Sequence, residues 1–271
     1  MAKRFALIIE SHNVVGQDLL PGAKLDADNW CAFLKSDLGG ACNENEIKRL
    51  SKPSSILVKA FLDAHKDEYI FLAFSGHGFE ESKPYSNEHV VKICLNDSEQ
   101  EVAIDSICPQ RNCTAVFDCC RGVENAQGHI KIANESFTAG RGASFSATMD
   151  SGEYIAINSA RSQGLVQETI RGVFSQKIAD QITHAAVRMY SCSRNESAGE
   201  WEENPNDGGY YTTLLMQGAK SWWEEQRLRA GYAIYTTKQA HDFACEAMKE
   251  INPQQHPEYT PVWQSYPFAI G

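Results

Sequence analysis

The chain has 271 residues, 42% of them hydrophobic and 22% charged, and a net charge of −10. That is enough material for one large core or two small ones. The acidic balance argues against a nucleic-acid partner, and no run approaches the roughly 20 apolar residues of a membrane helix.

Met1-Ala2-Lys3-Arg4 leads at once into a short apolar run ended by Glu10 and His12, too brief for a secretory signal. A cytoplasmic location is therefore expected, and the nine cysteines are expected to be free thiols. No Cys-x-x-Cys or His-x-x-His pair occurs, so neither a structural zinc site nor another cofactor is expected.

In chain order, Phe5 to Glu10 reads as a buried strand and Ser11 to Gly22 as a polar loop. Ala23 to Leu38 has helical periodicity through Leu25, Trp30, Phe33, Leu34 and Leu38, with Gly39-Gly40 as its stop. Glu46 to Leu50 is a weak strand. Pro53 to His65 reads as a helix started by Ser54 or Ser55, with Ile56, Leu57, Ala60, Phe61 and Ala64 inward. Tyr69 to Phe74, Val90 to Leu95 and Thr114 to Asp118 read as strands, with a short helix from Ala103 to Cys108. Tyr154 to Asn158 is a further strand. Gly172 to Tyr190, Tyr211 to Trp223 and Lys238 to Ile251 read as helices, and Val262 to Ile270 holds a last strand broken by Pro267.

Strands alternating with helices predict an α/β fold, a mostly parallel sheet flanked by helices on both faces. Working groups in such sheets gather at the carboxyl ends of the strands. His12, His77, Cys120 and Ser159 each follow a predicted strand end. The interval Val123 to Gly152 is rich in Gly, Ser, Asn and Ala, and reads as a long exposed loop containing Lys131 and Arg141. Ser191 to Gly209 is a second long polar segment.

Two apolar runs end in reactive groups: Phe71-Leu72-Ala73-Phe74-Ser75-Gly76-His77-Gly78 and Ala115-Val116-Phe117-Asp118-Cys119-Cys120-Arg121-Gly122. A thiol attacks an amide only as thiolate, and a histidine beside it can hold the proton and return it to the leaving amine. Backbone N–H groups at a tight turn can then hold the oxyanion, and glycine beside each candidate permits close approach.

These runs carry a resemblance. Ser75-Gly76-His77-Gly78 and Asp118-Cys119-Cys120 match the S-G-H-G and D-x-C motifs of the caspase-like cysteine peptidases, nearest to the prokaryotic metacaspase and paracaspase branch. His77 and Cys120 stand 43 positions apart, against about 50 upstream in the caspase form Q-A-C-R-G. Leu20 to Ala27, Gln163 to Ser175 and Thr260-Pro261-Val262 are similar to further segments of the family.

The resemblance implies a caspase-hemoglobinase fold with a six-stranded sheet over residues 1–271. Residues 1–122 would match the large subunit, 123–152 a linker loop and 153–271 the small subunit. It implies Cys120 as nucleophile, His77 as general acid/base, and an oxyanion hole from the N–H groups of Gly78 and Cys120. Cys119 is read as a packing residue. Asp26 and Asp118 match acids that select Arg or Lys before the scissile bond, although Asp26 also suits a helix start and Asp118 a solvated strand end. A third acid found in some relatives points toward Glu168. Glu80, Glu81 and Asp97 show no EF-hand spacing, so no calcium site is expected.

The implied activity is that of a cysteine endopeptidase on protein or peptide substrates with a basic residue before the scissile bond. Its role would lie in regulated cell death, stress response or antiviral defence. No adaptor precedes the first strand, so control is expected from a regulatory partner, an upstream protease, or cleavage at Lys131 or Arg141. The rival readings are a catalytically silent scaffold and a peptidase of different preference.

Overall fold

The computed structural model describes residues 3–82, 89–124, 164–181, 185–201, 208–226 and 231–271. The first half holds β1 (Arg4–Ser11), α1 (Pro21–Lys35), β2 (Ile47–Ser51), α2 (Ser55–Ala64), β3 (Tyr69–Gly76) and β4 (Gly78–Ser82). It continues with β5 (His89–Ile93), β6 (Val102–Ala103), β7 (Cys113–Asp118) and β8 (Val123–Glu124). The second half holds α3 (Gly164–Ala179), β9 (Val187–Tyr190), α4 (Tyr210–Gln226), β10 (Ile234–Thr236), α5 (Thr237–Ile251), β11 (Glu258–Thr260) and β12 (Pro267–Ile270).

The main sheet has six strands in the order β11-β9-β7-β3-β1-β2. Every pairing is parallel except β9 with β11. The expected α/β architecture is thus observed. Its central strands are apolar on both faces, as a sheet covered on both sides requires. Along β1, Ala6 and Ile8 enter one core with Trp30, Phe33, Leu214 and Ala244, from α1, α4 and α5. Leu7 and Ile9 enter the other core, with Val58 and Leu62 of α2. A small sheet, β6-β5-β4-β8, adds Ile93 to that second core, and β10 pairs with β12.

The winding changes direction between β1 and β3. β1 leads outward to β2, whereas β3 leads to β7 and β9 on the other side. In open parallel sheets, the loops that leave such a point diverge and open a crevice. Here they are the segments after Ser11 and after Gly76.

Three expectations are corrected. Ile56 and Leu57 face solvent, at 77% and 46% exposure, while Val58 and Leu62 face the core. Ala60 and Ala64 are exposed as well. Ser-Ile-Leu-Val-Lys-Ala-Phe-Leu is apolar almost all round, so periodicity does not choose its face; contact with Leu7, Ile9 and Ile70 does. The expected helix from Gly172 to Tyr190 stops at Ala179, and Val187–Tyr190 is a strand beside β7. The edge strand β11 precedes the expected last strand, which is confined to Pro267–Ile270. The strand expected from Tyr154 to Asn158, and Ser159, lie outside the described residues. Among the described residues, no helix is long and apolar enough to cross a membrane.

Candidate active site

β3 and β7 lie side by side, with Ser75 in register with Asp118. His77 and Cys120 each stand two residues beyond that pair, so the sheet register itself brings them to one rim. The chain after His77 continues as β4, which pairs with β8 just after Cys120. The Glu80 N–H donates to the Gly122 carbonyl at 2.9 Å. Both chains are thus tied together directly behind the two side chains.

Gly78 lies where these chains touch. A Cβ there would sit 2.7 Å from Cys119 Sγ and 3.0 Å from the Cys120 carbonyl oxygen. Glycine is required for this approach. Cys119 is 2% exposed and packs with Phe74 and Phe117, while Cys120 is half-buried.

His77 Nε2 lies 2.7 Å from the carbonyl oxygen of Asp18, in the loop after β1. A carbonyl only accepts, so Nε2 carries the hydrogen and Nδ1 is left as the basic nitrogen of the neutral ring. The Cys120 sulfur accepts from the Ala198 N–H at 3.4 Å. Burial pushes the Cys120 thiol above its ordinary range; the Ala198 and Ser197 hydrogen bonds oppose that, and the charges of Asp118 and Glu200 add to it. The resting sulfur is therefore a thiol that needs a base.

Asp26 of α1 and Asp118 of β7 are buried next to this rim, at 1% and 6% exposure. Ser75 Oγ donates to Asp26 Oδ2 at 2.6 Å and the Gly209 N–H to Oδ1 at 2.8 Å. The Thr212 N–H and hydroxyl donate to Asp118 Oδ2 at 3.0 and 2.8 Å. The two carboxyls meet at Gly209, where a Cβ would lie 2.4 Å from Asp118 Oδ2 and 3.1 Å from Asp26 Oδ2. Burial first, then the Asp118 charge and that of Glu200, hold Asp26 well above the usual carboxylate range. Asp118 is raised by burial, against its bonds from Thr212 and Ser191. Among the described residues, the groups acting on this pair are hydroxyls, amides and acids, with no cation.

Sequence reasoning missed Glu200. It accepts from the Gly22 N–H at the start of α1, at 2.9 Å, and acts on both Asp26 and Cys120. Its only sequence signal was membership of the long polar segment from Ser191 to Gly209. Glu168, the expected third acid, is exposed on α3 and is not brought to the pair.

Arg121 was missed as well. It is 8% exposed, and its guanidinium bonds Glu80 at 3.0 and 3.2 Å and the Cys192 carbonyl at 3.2 Å. It also pairs with Glu258 and lies over the Tyr190 ring. Glu81 pairs with Lys92 at 2.9 Å and Asp97 with Lys52 at 2.8 Å, so these two acids and Glu80 are each engaged by a cation. His12 pairs with Glu10 at 2.6 Å. Lys131 and Arg141 lie outside the described residues.

A thiol–imidazole contact elsewhere, Cys245 with His241 at 3.2 Å, sits on α5. Burial lowers His241 to about 4 and raises Cys245 to about 11, so both stay neutral and this pair is structural.

The comparisons agree with this architecture. The family model for the caspase domain matches residues 3–263. Among solved structures, the chain is similar to caspase-1 from Spodoptera frugiperda, with a TM-score of 0.52 and 13% identity over 96% of this chain and 87% of that one. At that identity the likeness concerns the fold. A search of curated proteins finds no match. With nearly its whole length covered by the family model, the chain belongs to the caspase-domain family of cysteine peptidases.

Proposed function

We propose that the protein is an endopeptidase that cuts after Arg or Lys, with Cys120 as nucleophile and His77 Nδ1 as its base. The observation that carries the basic preference is the buried carboxyl pair Asp26–Asp118 beside the thiol, which meets no cation among the described residues. Two like charges out of water repel each other and each lacks a counter-charge. A guanidinium supplies that charge and can donate two parallel hydrogen bonds, whereas an acidic side chain would add a third repelling charge. Asp26 uses two of its roughly four acceptor sites on Ser75 and Gly209, which leaves capacity for a ligand.

In the proposed reaction, Nδ1 takes the Cys120 proton and the sulfur attacks the scissile carbonyl. The N–H groups of Gly78 and Cys120 receive the oxyanion. The imidazolium then gives its proton to the leaving amine. Deacylation by water restores the thiol.

The test uses a fluorogenic arginyl peptide and its neutral counterpart. Cys120→Ala is expected to abolish turnover with the fold intact. Asp118→Asn is expected to reduce kcat/KM for the arginyl peptide by about 10- to 100-fold, the value of one charge-assisted hydrogen bond, and that for the neutral peptide much less. Equal losses on both peptides, or better cleavage of an aspartyl peptide, overturn the assignment of the acids. Turnover by Cys120→Ala overturns the nucleophile. Regulated cell death, stress response and antiviral defence remain the proposed setting, on family grounds.

A further inference from the structure

Cys108 and Cys113 flank the turn Pro109-Gln110-Arg111-Asn112, which leads into β7. β7 begins at Cys113 and runs to Asp118, so this pair sits at the end of the sheet away from Cys120. The two thiols lie in one apolar cluster with Leu62 and Ile70, and each acts on the other's ionisation. Cys113 is fully buried, and Cys108 is 5% exposed. Cys108 forms part of the wall of an open cavity of about 550 Å³ that also includes Lys59, Asp63, Lys66 and Arg111. The cavity therefore borders Cys108 and not Cys113.

The surroundings of the two sulfurs differ in the same sense. The neighbouring Cys113 thiol and then the Arg188 guanidinium hold the Cys108 thiol below its ordinary range, against burial. Arg188 is itself held by Asp105 at 2.6 Å. Burial, and then the neighbouring Cys108, push Cys113 far up. A thiol at the wall of the cavity, more acidic than the fully buried one next to it, is the arrangement of an attacking thiol and its resolving partner.

We propose that Cys108 and Cys113 form a peroxide-reactive dithiol, a redox modification site separate from the peptidase centre. The Cys108 thiolate attacks hydrogen peroxide: an S–O bond forms, the O–O bond breaks, and hydroxide leaves to be protonated to water. The Cys113 sulfur then attacks the Cys108 sulfenic acid. An S–S bond forms and the S–O bond breaks, and the oxygen leaves as a second water with the Cys113 proton. Both thiols are oxidised and one peroxide is reduced. The disulfide closes the turn that delivers β7 to the sheet.

The test treats the full wild-type chain with hydrogen peroxide, blocks remaining thiols with N-ethylmaleimide, and digests without reduction. Tandem mass spectrometry is expected to place a bond between Cys108 and Cys113, with loss of two alkylatable thiols and recovery of both by dithiothreitol. Cys120→Ala protein is expected to form the same bond to the same extent, which separates this site from the peptidase reading. In Cys113→Ala protein, Cys108 is expected to persist as a sulfenic acid captured by dimedone. Cys108 and Cys113 both alkylated while Cys120 is oxidised would overturn the proposal, as would oxidation of Cys108 without the bond. The wild-type result decides even where a variant fails to fold.

Discussion

At the residue scale, the tautomer of His77 is set by a backbone carbonyl, that of Asp18, rather than by a side chain. This predicts that Asp18→Ala keeps kcat within about threefold, because a surface substitution changes little and the carbonyl remains. A loss of 100-fold or more would mean that the Asp18 carboxylate itself orients the ring. The Cys120 thiol makes a second prediction. Asp118 and Glu200 each raise it by their charge, and a guanidinium bound to the acids would cancel both. The substrate's own cation would then make its nucleophile more acidic. Alkylation of Cys120 by iodoacetamide at neutral pH is expected to quicken, on the order of threefold, when a small alkyl guanidine is added at constant ionic strength. An unchanged or slower rate removes the coupling between the acids and the thiol.

At the element scale, what holds the rim together is the seam between β4 and the chain after β7, clamped by Arg121 and Glu80. Glu80 is 2% exposed and also faces Arg194 at 3.6 Å and His89 at 4.0 Å. Removing one partner of a buried pair leaves the other charge uncompensated. Arg121→Ala is expected to cost about 3–5 kcal/mol in urea unfolding, while Glu258→Gln, at the 44% exposed end of the same network, costs under about 1 kcal/mol. Equal costs would show that the clamp is a surface feature. This seam also marks where sequence reading stops. β3 and β7 were legible because each is an unbroken apolar run ending in a polar group, and the rim positions of His77 and Cys120 followed from that. β4 was not, since Gly78-Phe79-Glu80-Glu81-Ser82 reads as a loop until its acids find Arg121 and Lys92. Glu200 was hidden for the same reason. It lies far along the chain from Asp26 and Cys120, and a polar segment carries no periodicity that could announce the meeting. The phase of α2 failed in the opposite way, from an excess of apolar residues.

At the scale of the whole molecule, the chain carries its net charge of −10 with at least two of its acids buried together and, among the described residues, without a cation. Their carboxyls are raised in the folded state, so the folded chain binds more protons than the unfolded chain between the ordinary carboxylate range and the raised one. Stability therefore falls as pH climbs through that window, and at neutral pH the pair is a standing cost. Occupancy by a cation, protonation or substitution should each relieve it. Asp118→Asn keeps an oxygen to accept from Thr212 and removes one of the two charges. It is thus expected to raise Tm at neutral pH by a few degrees while weakening cleavage of the arginyl peptide, a loss of function that accompanies a gain in stability. The gain should shrink as pH falls through the raised range, where the wild-type pair takes up protons. Over the same range wild-type kcat/KM for the arginyl peptide should decline more steeply than that for the neutral peptide, because only the ionised pair attracts the cation. A thermal melt of both proteins at neutral and acidic pH checks this. If Asp118→Asn lowers Tm at neutral pH as much as at pH 4, the carboxyl is a structural hydrogen-bond acceptor. The molecule would then not be storing an unpaired charge beside its thiol.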